Sequence, residues 1–245
     1  MSYYGNQDYW LNVSQGNVAG MTHVNKFGRN SNIASGGQEE IWDGSAAYTY
    51  PATALMTSMS QTADQTAMRG TVCEVQGLDA TWAAVTQDAT LDASDTTTVV
   101  TLTTPLIRVF RVKVYGGPIT STVRIHNAGE TVDYAVVSIG AQQTQMAIYT
   151  VPLGKTAYMT NYYAHVNPGT NLDPTSCQIR LWARDNANSY SKRVQHSVGI
   201  TSGGFQHHFA PYPSFAAQTD IFMDGAPVGK AADITAGFDL VLIDD

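Results

Sequence analysis

Charge is scarce in this chain. Only 13% of its 245 residues are charged, about half the roughly 25% usual in soluble domains. Five residues are lysine, and Thr, Ser, Asn and Gln fill the gap. A surface of uncharged polar groups is cheap to cover, because burying a paired amide or hydroxyl costs far less than burying a charge. β-Strand propensity also enriches threonine, so an ordinary β-protein with Thr-rich strands fits the same composition. No basic run offsets the net charge of −7, which argues against non-specific nucleic-acid binding and against an anionic membrane surface. No apolar run reaches membrane-span length. The N-terminal MSYYGNQDYWLNVSQGNVAG has neither the cationic start nor the apolar core of a signal peptide. Two cysteines, Cys73 and Cys177, give no disulfide framework; without an export signal they are expected to be reduced and buried.

Compact catalytic signatures are missing as well. No G-x-S-x-G, P-loop or strand-to-helix G-x-G-x-x-G occurs, and there is no C-x-x-C or H-E-x-x-H. His207 and His208 are consecutive, so on a strand they point to opposite faces. His126, His165 and His196 read as satisfied structural histidines. Glu39–Glu40, Asp92–Asp95 and Asp244–Asp245 are the paired acids. The Asp92–Asp95 loop reads as a solvated turn, with calcium as the alternative. The expectation is a protein that is not an enzyme and carries no cofactor or metal.

What the chain does have is a long irregular stretch, residues 26–51, KFGRNSNIASGGQEEIWDGSAAYTYP. It shows no helical period and no strand alternation. Glycines and turn formers interrupt it, and Phe27, Ile33, Ile41, Trp42, Tyr48 and Tyr50 are spaced through it. Disordered tails are poor in aromatics, so residues 1–51 are expected to be an extended arm that orders against a neighbour. Phe27, Arg29, Ile41, Trp42, Tyr48 and Tyr50 would be its contacts. The remaining residues, 52–245, would fold without it.

From about residue 70, short β-branched and aromatic runs alternate with Gly, Pro, Asn and Asp. Strands are predicted over 71–75, 82–91, 97–102, 107–115, 122–126, 132–139, 145–151, 157–166, 178–184, 191–200, 220–223 and 238–243. Phe110, Val112 and Val114 share one face against Arg111 and Lys113. Ile179, Leu181 and Ala183 oppose Arg180, Trp182 and Arg184. Gln76–Asp79 reads as a hairpin turn, and helices are confined to short candidates at 3–13 and 52–59. Many short strands imply an all-β, antiparallel β-sandwich of jelly-roll type.

Two groups of aromatics remain. Phe205, Phe209 and Tyr212 lie in a stretch that Pro211 and Pro213 bar from a central strand; it reads as an exposed loop or edge covering that contacts a partner. Tyr158 and Tyr162, at an offset of four, share a strand face and with Trp182 make a candidate glycan platform, a subunit interface being the competing reading.

The motifs GRNSNIASGGQEEIWDGSAAYTYP, MAIYTVPLGKTAYMTNYYAHV and TDIFMDG…ITAGFDLVLIDD resemble a family of tailed-bacteriophage virion proteins, many from marine phages. The family pattern is a Gly-Arg-Asn segment, an acidic residue before Ile/Val-Trp-Asp-Gly, and a β-sandwich ending in Phe-Asp-x-x-Leu-Ile-Asp. Here these are Gly28, Arg29 and Asn30; Ile41 to Gly44; and Phe238, Asp239, Leu242, Ile243 and Asp244. The resemblance spans most of the chain from residue 26. It implies a virion component, made in the host cytoplasm, that assembles with capsid or tail subunits and with copies of itself. Decoration or minor head protein is the first reading; a neck, tail or fibre part that binds a host surface glycan is the alternative.

Overall fold

Alternation of buried and exposed side chains, period two, runs through several strands of the computed structural model, which describes residues 9–44, 46–167 and 176–245. Every strand pairing among the described residues is antiparallel. The chain is an all-β sandwich built from three sheets.

The first sheet orders β1 (Met21–Ile33), β16 (Ala232–Asp244), β10 (Lys155–Asn167) and β13 (Gly203–His208), with β14 (Ser214–Phe215) also on β10. The second orders β12 (Arg193–Ile200), β11 (Ser176–Asp185), β15 (Thr219–Val228) and β2 (Glu39–Glu40), with β9 (Ile148–Thr150) on β15. The third orders β5 (Ala84–Thr90), β4 (Val72–Asp79), β6 (Val100–Tyr115), β3 (Met56–Gln61), β7 (Val123–His126) and β8 (Asp133–Val137). One helix, α1 (Tyr9–Ser14), precedes β1.

Two cores result. The first lies between the first two sheets, where Tyr162, Phe238, Leu240 and Ile234 meet Ile179, Leu181, Ile221 and Met223. The second joins the other side of the second sheet, through Phe222 and Ile148, to Met56, Val75, Val112 and Ile125 of the third. Strand β15 feeds both, Ile221 and Met223 to one and Phe222 to the other, and is buried along nearly its whole length. Its apolar Ile221–Met223 run, flanked by the buried and hydrogen-bonded Asp220 and Asp224, belongs to a strand covered on both faces. Cys73 and Cys177 are free and buried, one in each core. Burial pushes their thiols up to about 12 and about 11.

The arm reading of residues 26–51 is corrected. Residues Met21 to Asn30 pair residue by residue with Ile243 to Ile234, so the beginning and end of the chain form one ribbon. The alternation was disguised because the inward positions of β1 are Lys26, Gly28 and Asn30, while Phe27 points outward. Gly28 is there because a Cβ would fall 2.2 Å from the Ile41 carbonyl oxygen and 2.3 Å from the Ala147 nitrogen. Gly44 lies under the Trp42 ring, where a Cβ would come within 2.0 Å of it. The Asn30 amide donates to the Glu40 carbonyl (3.2 Å), and Glu40 accepts the Tyr48 N–H (2.9 Å). The Gly-Arg-Asn and Ile-Trp-Asp-Gly motifs are therefore parts of one packing unit.

Other expectations shift for local reasons. The two strands predicted over 97–115 are one, β6. Gln76–Asp79 belongs to β4, where Gly77 lets the Arg108 carbonyl approach; the turn follows at 80–83, with the Asp79 carboxylate accepting from Thr81 and Ala83. The candidate helix at 52–59 is a bend followed by the first four residues of β3. The other candidate helix survives as α1, its first residues lying outside the described ones.

Candidate interaction face and cleft

The outer face of the first sheet is assembled by alternation and one irregularity. In β16 the inward side chains are Ile234, Ala236, Phe238 and Leu240, which leaves Asp233, Thr235, Gly237 and Asp239 outward. In β10 the pairing skips a residue between Met159 and Asn161. This bulge at Thr160 reverses the parity of everything after it. Met159 and Tyr162 both point inward, while Tyr158, Asn161, Tyr163 and His165 point outward.

Register then lays out rows across the sheet. Asn25, Asp239, Asn161 and His208 are neighbours in one row. Phe27, Gly237, Tyr163 and Gln206 make the next, and Arg29, Thr235, His165 and Gly204 the one after. The Tyr163 ring covers Gly237, where a Cβ would sit 2.6 Å from the tyrosine oxygen.

The carboxylates of this face already have partners. Asp239 accepts from Asn25 and Asn161, both at 2.7 Å, and lies 3.6 Å from His23 Nε2. Burial would raise its carboxyl, but these donors outweigh it and hold it below the usual range. Asp233 accepts from Nε and Nη2 of Arg29, at 3.0 and 2.7 Å, and from the Asn167 amide at 3.1 Å. Burial again works upward and the hydrogen bonds win.

At one end of the face α1 closes a cleft of about 340 Å³. Its rim carries Trp10 and Tyr212, in edge contact at 6.4 Å, and its floor is Asp239, Asn161, His23 and His208. Val13 of α1 is buried and seats the helix on the sheet.

The sequence-predicted residues divide. Phe27 and Arg29 are on the outer face, and Tyr212 is at the cleft. Ile41, Trp42 and Tyr48 are core residues at 0%, 3% and 6% exposure, which removes them as contacts for a partner. The Trp42 indole donates to the Ala46 carbonyl at 2.7 Å and meets Tyr48 edge-on. Tyr50 is half-buried, with the Arg184 guanidinium 4.2 Å over its ring.

The loop expected at 203–213 is partly strand. β13 is an edge strand whose Phe205 and His207 turn inward, and Phe209 follows them onto Tyr162. Phe205 and Phe209 are thus half-buried packing residues. The glycan platform fails for a stated reason: the bulge puts Tyr158 and Tyr162 on opposite faces, and Tyr162 is fully buried, bonded through its hydroxyl to His196 Nδ1 at 2.5 Å. Trp182 is half-buried and stacks on Phe222 against the second core.

Asp92 and Asp95 each cap their own turns, accepting from Ser94 and Thr97. Among the described residues no group of three or more His, Cys, Asp or Glu is placed to hold a metal ion, and no helix is long and apolar enough to cross a membrane.

Sequence reasoning passed over Trp10, His23, Asn25 and Asn161. The signal was the every-second-residue series His23, Asn25, Phe27, Arg29, legible only once β1 is read as a strand. Compared with known protein families and with curated proteins, the chain matches none.

Proposed function

We propose that the protein is a non-enzymatic structural component of a tailed-bacteriophage virion, in first place a capsid-associated decoration or minor head protein, and that it assembles through the outer face of the first sheet. The observation that carries the assembly reading is the pairing of that face's carboxylates. Asp233 and Asp239 are held by Arg29, Asn167, Asn25 and Asn161. The remaining groups are mostly amides, hydroxyls, imidazoles and the rings of Phe27, Tyr158 and Tyr163. Covering such a face strands no unpaired charge, and aromatics mixed with amides are the make-up of contact surfaces. The virion assignment itself rests on the sequence resemblance. It gains coherence from the two resembling motifs meeting in one ribbon of β1 and β16.

The alternative, a neck, tail or fibre part that binds a host glycan, draws its support from the cleft. Aromatic walls from Trp10 and Tyr212 over a floor of Asp239 and Asn161 suit a sugar ring better than the buried Tyr162 does. Reconstruction of purified particles tests both readings. The expected result is density for this chain with the outer face against another subunit. A cleft pointing outward with a bare face favours the glycan reading, and absence of the chain from purified particles defeats both.

A further inference from the structure

Beneath the free edge of β1, on the side away from the interaction face, lies a second cavity of about 350 Å³ between the first and third sheets. Its apolar wall is Val24, Phe110, Tyr149, Pro152 and Leu242. The ionisable side chains around it other than Tyr149 are all basic: His23 and Lys26 from β1, Arg111 from β6 and Lys155 from β10. No Asp or Glu lines it, in a chain with 20 acidic and 13 basic residues.

Two of these cations are held by backbone alone. Lys26 is 3% exposed, and its ammonium donates to the Phe110 carbonyl. The Arg111 guanidinium donates to the Asn25 carbonyl at 2.7 Å. Neither makes an ion pair among the described residues. Lys155 pairs with Asp244 at the rim, and the nearest acid on the third sheet, Glu74, is engaged by Lys113 at 2.8 Å. An ammonium has three donors, and a buried cation without a counter-ion is costly.

We infer that this cavity is a binding site for an amphipathic organic anion, a carboxylate on an apolar body, with Lys26 and Arg111 as the head-group partners and Phe110, Tyr149 and Leu242 against the body. A neutral ligand leaves the two cations unmatched, and a bare inorganic anion leaves the apolar wall wet. Burial first, and the nearby Arg111 second, lower the Lys26 amine well below its ordinary value. An arriving carboxylate reverses that penalty, so binding takes up a proton wherever the free amine is partly neutral. The group that sets this response beside burial is Arg111, on which Glu74 acts in turn; His23, Tyr149 and Lys155 are the other ionisable side chains around the cavity. The inference is independent of where the protein sits in a particle.

The test is titration calorimetry on the full chain with decanoate below its micelle concentration, and with decanol and inorganic phosphate as partial mimics. The expected result is one decanoate per chain, with an apparent enthalpy that changes with the buffer's ionisation enthalpy. Decanol, which lacks the charge-assisted hydrogen bonds, and phosphate, which leaves the apolar wall uncovered, should each bind at least about tenfold more weakly. Lys26→Met should weaken decanoate by about tenfold or more. Should that variant fail to fold, Arg111→Gln serves for the same reading. No decanoate binding, equal binding of decanol, or unchanged affinity in the folded variant overturns the inference.

Discussion

Arg108 and Asp220 are 3% and 0% exposed, and each is fully engaged. Asp220 accepts from Arg108 at 2.8 and 3.1 Å, from Arg184 and from Thr150. Arg108 also donates to the Pro51 and Ile107 carbonyls. A buried pair of this kind is not stabilising in itself, because desolvation offsets the attraction, but removing one partner leaves an uncompensated charge. Arg184 still faces Asp220 after Arg108→Met, so that change should lower unfolding free energy by about 3 kcal/mol, the low end for a broken buried pair, in urea titration. Asp220→Asn on that background should recover part of the loss. Additive losses would mean the two residues act separately. At this scale the sequence was a poor guide. Arg108 stands within the apolar run Leu106–Phe110 and nothing local marks its distant partner. Trp42 and Tyr48 looked like anchors for a neighbour, and in a sense they are, but the neighbour is the same chain's second core.

Elements were more legible than residues. Each strand predicted from alternation between residues 71 and 243 has a counterpart, because one face packs and the other stays wet. Two things were hidden. β1 carries polar residues and glycine inward, so its period reads backwards. The bulge at Thr160 changes parity within a strand, which no residue count along the sequence reveals. The correction to β1 reverses an expectation about truncation. Deleting residues 1–51 removes the strand that covers β16 and the buried Ile33, Ile41, Trp42 and Tyr48. That truncation should abolish the cooperative thermal melt and expose an aggregation-prone edge. Deleting residues 1–20, which leaves β1 intact, should retain the melt. A cooperative melt in the longer truncation would restore the arm as a separate element.

For the whole molecule, buried carboxylates pull in two directions. Asp220, Asp233 and Asp239 are held below their ordinary values because hydrogen bonds and cations outweigh burial. Their contribution is present above the unfolded value of about 3.9 and is lost as pH falls through the folded ones. Burial raises the carboxyls of Glu40, Asp43 and Asp224, so protonating these on the way down from neutral pH stabilises the fold. Denaturant titrations across pH should show a shallow gain between neutral and about pH 5 and a steep loss below about pH 4. A steady decline from pH 7 would mean the raised group is misassigned.

The same scale holds the central claim, that a low-charge sandwich with the carboxylates of its first sheet's outer face pre-paired is made to be covered. Cryo-electron microscopy of purified phage particles tests it most directly. The expected map holds this chain with Phe27, Tyr163 and the Asp239 row of the first sheet buried against a neighbouring subunit. A map in which that face is open to solvent on every copy, or a particle that lacks the chain, would contradict it.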